Sequence, residues 1–337
     1  MNTRRGCSIF AALLIVSSLL SRGEPYAVFK LAAWLLIAFL VGRYLRPVSL
    51  FLFLAAAGVL ESLLGIFQFI AHKSVGFSVF GESALSPLDP ALARTFVSGG
   101  RLLRAFGTFP HPNILAAFLV LSLISLAYFH MRSDARSRVF LVAPIFIVSL
   151  GLILTFSRAG WASAVLGTSF LIFRSRASLP REARYTAFVF ALCALAAASV
   201  FSWAIVPRLA SLSFHDYAVT ARVTGYADSL RRVAPYPFFG SGITMRMSDN
   251  PVHSVYLVIA EEVGGIGLAI FLCILFAAFM RGFRDIRPEA WVFSAMLFAL
   301  ILIGLTDHFL WTLRPGAAML WVVIGMLLFE KRRISHS

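Results

Sequence analysis

The sequence predicts an all-α, polytopic integral membrane protein with about ten transmembrane helices, and three observations predict it. Hydrophobic residues fill 60% of the 337 positions and charged residues only 13%, against about 45–50% and about 25% in an average soluble domain. The apolar residues gather into ten runs long enough, or nearly so, to cross about 30 Å of hydrocarbon at 1.5 Å per residue. Arginines punctuate the gaps between runs, as in loops that anchor to anionic lipid. This composition excludes soluble enzymes and disordered chains. It also turns the net charge of +15 away from nucleic acid and toward membrane lipids as the partner.

In chain order the expected spans are 7–21, 26–42, 48–71, 112–129, 139–157, 159–173, 185–206, 253–280, 290–306 and 315–330. The first follows Arg4-Arg5 and lacks an A-x-A-like cleavage site, so it reads as an uncleaved helix rather than a signal peptide. With a cytoplasmic N-terminus, ten spans return the C-terminus to the same side. Seventeen of the thirty Lys and Arg then lie inside, in short loops and tails, and most outer ones lie in two long segments, 72–111 and 207–252. The chain therefore reads as one transmembrane domain over 1–337 with both termini cytoplasmic. Its three cysteines, Cys7, Cys193 and Cys273, form no CxxC or disulfide framework.

Chemistry is expected in the two long outer segments. They carry Arg94, Arg101, Arg104, Arg208, Arg222, Arg231, Arg232 and Arg246, against the acids Glu82, Asp89, Asp216, Asp228 and Asp249. Excess guanidinium suits phosphate oxygens, which the planar fork grips in pairs; a solvated basic loop is the plain alternative. Arg101 and Arg104, three apart, are read as one helical face touching acceptor phosphates. No DxD or other close acid pair appears there, which argues against a divalent cation site.

Three motifs stand at the expected outer ends of spans. Gly107-Thr-Phe-Pro-His111-Pro-Asn113 leads into the fourth span, where a proline in the first turn and Asn113 as the cap suffice to start a helix. Thr155-Phe-Ser157-Arg158-Ala-Gly-Trp161 joins the fifth and sixth spans almost without a loop. Arg158 there either faces a polar cavity or snorkels to the interface beside Trp161. The third motif runs from Arg222-Val-Thr-Gly-Tyr226 through Pro237-Phe-Phe-Gly240-Ser-Gly242 to His253-Ser254 and on to Glu261-Glu262-Val-Gly264-Gly-Ile-Gly267. Gly240 and Gly242 allow a loop to approach a ligand closely. His253 has a side chain suited to proton transfer near neutral pH. Glu261 and Glu262 read as polar groups in a helix, either toward a polar interior or in a packing hydrogen bond. Asp307, His308 and Arg314 gather at the last outer turn, as an ion pair or as an acceptor contact.

These residues resemble the O-antigen ligase family and its relatives, the O-antigen polymerases. The signature is histidine, then Asn, Ser or Gln, nine residues, glycine, two residues, and Gly, Thr or Tyr; His253-Ser254 followed by Gly264 and Gly267 fits it. The other two motifs and the Pro-Phe-Phe-Gly-Ser-Gly stretch are similar to that family too, and the resemblance covers roughly residues 100–280. It implies a helical membrane fold of the glycosyltransferase C type in a bacterial inner membrane. It further implies transfer, on the periplasmic face, of a glycan from an undecaprenyl-diphosphate donor to the lipid A core or another glycan acceptor, without cofactor, metal or nucleotide sugar. Arg158 and Arg222 match the family's arginines around the donor diphosphate, and His253 matches its essential histidine. Arg101, Arg104, His111, Asn113, Ser157, Gly240, Gly242 and Ser254 are the expected substrate contacts. A polymerase or protein O-oligosaccharyltransferase shares the donor, and a lipid-linked glycan flippase is the reading from another class, since Glu61 and Gln68 supply polar groups inside a span.

Overall fold

The computed structural model describes residues 25–85, 94–97, 100–210, 217–243 and 252–330. They form α1 (Pro25–Tyr44), α2 (Pro47–Ala71), a short 3-10 turn (Ser78–Phe80), strands β1 (Arg94–Val97) and β2 (Gly100–Leu103), α3 (Pro112–Arg132), α4 (Ala135–Leu154), α5 (Arg158–Ser175), α6 (Pro180–Val200), α7 (Ser202–Ala210), α8 (Tyr217–Val233), α9 (Val255–Phe283), α10 (Pro288–Gly304), α11 (Phe309–Thr312) and α12 (Arg314–Phe329). The protein is an all-α, multi-pass membrane protein. Among the described residues, α2, α3, α4, α6 and α9 are long and apolar enough to cross a bilayer, and α10 and α12 are shorter apolar helices. Every expected span from 26–42 onward falls on a helix; the expected span 7–21 lies outside the described residues.

Local chemistry explains most boundaries. Proline begins or nearly begins α2, α3, α6, α10 and α12, where its missing N–H costs no helical bond. Asp134 and Ser157 cap α4 and α5 by accepting from the amides of Arg136 and Gly160. Two expectations change. The run 185–206 is two helices, broken at Phe201. Residues 94–97 and 100–103 form a two-stranded antiparallel ribbon, so Arg101, opposite Phe96, and Arg104, just past β2, do not share a helical face.

Contacts divide the chain into two compact units, Met1–Pro47 with Tyr217–Ser337, and Val48–Asp216. In the second, α3 is the hub, packed on α4, α5 and α6 and 94% buried along its apolar window. In the first, α1 lies on α12. Small residues make that approach possible: a Cβ on Gly325 would strike the Ala38 carbonyl, and one on Gly42 would strike Gly325. With lipid as apolar as leucine, close backbone approach is what holds such helices together.

Gly325→Ala is therefore expected to lower stability by about 1–3 kcal/mol through overpacking, read as an earlier thermal transition of the solubilised protein. Gly225→Ala, on α8 with nothing within 4 Å of the added Cβ, is expected to leave the transition unchanged or raise it.

Candidate functional site

The site in the first unit is built around a break in a membrane helix. α9 loses helical geometry at Gly264 (φ 70°, ψ −176°), which strips backbone groups on both sides of their partners. The loop after α8 replaces them. The Ser241 and Gly242 amides donate to the Glu261 and Glu262 carbonyls at 2.8 and 3.0 Å, and the Gly265 and Ile266 amides donate to the Pro237 and Phe238 carbonyls at 2.8 and 3.3 Å. Both backbones must come this close: a Cβ on Gly240 (φ 72°) would strike the Glu262 carbonyl, and one on Gly264 the Phe238 carbonyl. Gly240 and Gly242, expected at a ligand, are thus set against α9 itself. Arg232 on α8 adds a two-point bond to Glu261 at 2.9 and 3.1 Å. Across the kink, the Trp311 indole N–H donates to Glu262 at 2.7 Å.

This docking brings α8 to the start of α9. The Tyr226 hydroxyl lies 3.2 Å from the His253 carbonyl and 3.3 Å from the Leu305 carbonyl. Arg222 stands one turn earlier on the same helical face. It is half-buried and has no hydrogen-bond or ion-pair partner among the described residues. His253 precedes α9, with its Nδ1 enclosed and without a hydrogen-bond partner among the described residues. Ser254 is buried at the N-cap position, where its side chain makes no cap bond.

Two residues that sequence reading gave no firm role complete the cluster. His308 stacks obliquely on His253, ring centroids 5.8 Å apart, and its backbone N–H donates to Asp307 at 2.8 Å. Its Nδ1 is 2.7 Å from the Thr312 hydroxyl, which also lies within reach of the His308 carbonyl. Asp307 and His308 are both buried. Burial chiefly holds the His308 imidazole below the ordinary histidine range; Asp307 opposes that shift and His253 adds to it. The signal available in sequence was the Asp-His pair between two apolar runs.

The second unit gathers the other motifs. Thr155-Phe156-Ser157 turns α4 into α5, and Phe156 takes a left-handed φ of 50° while fully buried, a conformation costly for a bulky residue. Ser157 caps α5, and Arg158 is its first residue. Arg104 is buried and donates to the Thr155 carbonyl at 2.6 Å and to Asn113 Oδ1 at 2.7 Å. His111, and not Asn113 as expected, caps α3, its Nδ1 accepting from the Asn113 amide at 3.1 Å. Arg104, Asn113 and the Ser157–Arg158 turn are therefore drawn to one place. Arg104 acts there as a tie between segments, and the backbone of Arg101 lies in β2.

Glu61 and Gln68, seven residues apart on α2, are anchors for this loop. Glu61 accepts from the Thr108 amide and hydroxyl at 2.8 and 2.6 Å. Gln68 accepts from the Gly107 amide and donates to the Gly107 carbonyl and to Glu82. Gly107 (φ 60°) has no room for a Cβ beside Glu61. Glu82 accepts the amides of Val75, Gly76 and Phe77 at 2.6–2.8 Å.

No known family's sequence profile matches the chain, and no curated protein matches it. Among solved structures it is similar to one described under "Structural coordination of polymerization and crosslinking by a peptidoglycan synthase complex". The identity is 18% and the TM-score 0.45, over 96% of this chain and 94% of that one.

Burial alone would raise the Glu82 carboxyl, but its bonds to three amides and Gln68 hold it below the usual carboxylate range. A depressed carboxylate stabilises the fold above its unfolded pKa and loses that contribution as pH falls through the folded one. Amides of Val75–Phe77 are thus expected to stay protected through mildly acidic pH and to open only below the ordinary glutamate value. Glu82→Gln is expected to speed their exchange about tenfold or more at neutral pH, measured by hydrogen exchange corrected for intrinsic pH dependence.

Proposed function

We propose that the chain is a glycosyltransferase of the O-antigen ligase type. In this reading it moves a glycan from undecaprenyl diphosphate to the lipid A core on the periplasmic face of a bacterial inner membrane, with both termini cytoplasmic. The observation that carries the reading is the enclosed Nδ1 of His253, without a hydrogen-bond partner among the described residues, at the start of α9 where α8 holds Arg222 one turn from Tyr226. A half-buried guanidinium with no partner among the described residues is costly, and an anionic ligand relieves that cost. A diphosphate is such a ligand, and its planar, bidentate match to guanidinium favours arginine.

The chemistry follows from these groups. His253 takes the proton of an acceptor hydroxyl, and the hydroxyl oxygen attacks the anomeric carbon of the donor sugar from the face opposite the diphosphate. The bond from that carbon to the diphosphate oxygen breaks, and undecaprenyl diphosphate leaves with both electrons. The anomeric centre inverts. Arg222 stabilises the charge that grows on the leaving group; a fixed guanidinium needs no reorganisation as it develops. The expected contact of Ser254 with the glycan belongs to this proposal. No step calls for a resident metal, so transfer is metal-independent.

The test is transfer by purified protein from an undecaprenyl-diphosphate glycan to lipid A core or to a second undecaprenyl-linked glycan, with and without chelator. The expected result is chelator-resistant product on lipid A core, falling by about 10²–10⁴-fold in His253→Ala. Lengthened undecaprenyl-linked glycan alone would make the protein a polymerase. No product with either acceptor, or full activity in His253→Ala, would overturn the proposal.

A further inference from the structure

We propose that His253, Asp307 and His308 form a binding site for a divalent transition metal of the zinc type, and that filling it switches transfer off. The second half rests on the reading of His253 as the base; the first half stands without it.

Three observations carry the site. One ligand atom from each residue lies within 4.8 Å of the other two. Bonds of about 2.0–2.2 Å to a common ion would bring these atoms to about 3.4 Å apart, so filling the site closes them by about 1.4 Å at most. His253 Nδ1 is enclosed without a hydrogen-bond partner among the described residues, so a metal fills an unmet need there rather than displacing a bond. Finally, His308 is already oriented from behind. The Thr312 hydroxyl lies 3.2 Å from the His308 carbonyl and 2.7 Å from His308 Nδ1. When the hydroxyl donates to the carbonyl, its oxygen accepts from Nδ1–H, the tautomer that leaves Nε2 with a lone pair for a metal. A ligand histidine usually donates its other ring N–H to a carboxylate, backbone carbonyl or water, and the Thr312 hydroxyl stands in that place here.

The donor set selects the ion. Two imidazoles and one carboxylate suit zinc, cobalt or nickel, whereas magnesium and calcium prefer oxygen ligands throughout. Three protein ligands leave one position of a tetrahedron open. The same lone pair of His253 cannot both bind a metal and accept a proton, so occupation and base catalysis exclude each other. Zinc is therefore an inhibitor of transfer.

The test uses full-length, tag-free, detergent-solubilised protein titrated with cobalt(II), and needs no substrate. The expected result is one equivalent bound with the visible absorption of a tetrahedral site, displaced by zinc. Asp307→Asn and His308→Gln each lose that absorption. Thr312→Val, which keeps all three ligands, weakens binding about 10–100-fold, and its thermal transition shows whether the fold is kept. No tetrahedral signal, or a signal unchanged in the ligand variants, would overturn the site. In a parallel transfer assay, zinc is expected to inhibit with the midpoint of its binding, and chelator to restore activity. Binding without inhibition would overturn the switch but not the site, and absence of any transfer activity would count against the functional proposal alone.

Discussion

In hydrocarbon a backbone N–H or C=O without a partner costs several kcal/mol, and α9 interrupts its own ladder at Gly264. The rest of the first unit's site depends on how that debt is met. The loop from Pro237 to Gly242 pairs with both sides of the break, and in doing so fixes α8, which ends just before it. With α8 in place, Tyr226 reaches the carbonyls of His253 and Leu305, and Arg222 stands a turn away. The interval from His253 to Gly264 gains a physical meaning. The nine helical residues from Val255 to Val263, at 1.5 Å each, make about 14 Å of helix between the histidine and the break where the loop docks.

Much of the fold was legible in the sequence because membrane spans are a problem of length and polarity that each segment solves alone. Prolines at helix starts and the capping Asp134 and Ser157 are equally local. What escaped was non-local. Nothing near Gly240 announces that it must lie against Glu262, so its freedom read as room for a ligand. Arg101 and Arg104 read as a helical pair because charge spacing alone does not reveal a ribbon. The Asp307-His308 pair was visible as a polar turn, yet its partner is more than fifty residues away, at His253. Such couplings arise from tertiary contact, on which spacing within one segment carries no information.

The structure also sorts the arginines that composition could only count. Arg232 is spent on Glu261, and Arg104 ties the strand end to Thr155 and Asn113. These are structural uses, and an exposed pair such as Arg231 with Asp228 adds little. Arg222 differs in having no such partner among the described residues. The intramembrane polar groups are sorted likewise. Glu61 and Gln68, which a transport reading would need, are engaged in holding Gly107 and Thr108, so that reading loses the residues that motivated it.

In the proposed mechanism guanidinium binds the diphosphate and imidazole performs the chemistry. Calorimetric titration of solubilised protein with undecaprenyl diphosphate separates the two roles. Arg222→Ala is expected to bind about tenfold to a hundredfold more weakly, the worth of a charged hydrogen-bond pair, whereas His253→Ala is expected to bind within about twofold of the unmodified protein while losing turnover. Equal binding by Arg222→Ala, or loss of binding in His253→Ala, would contradict that mechanism.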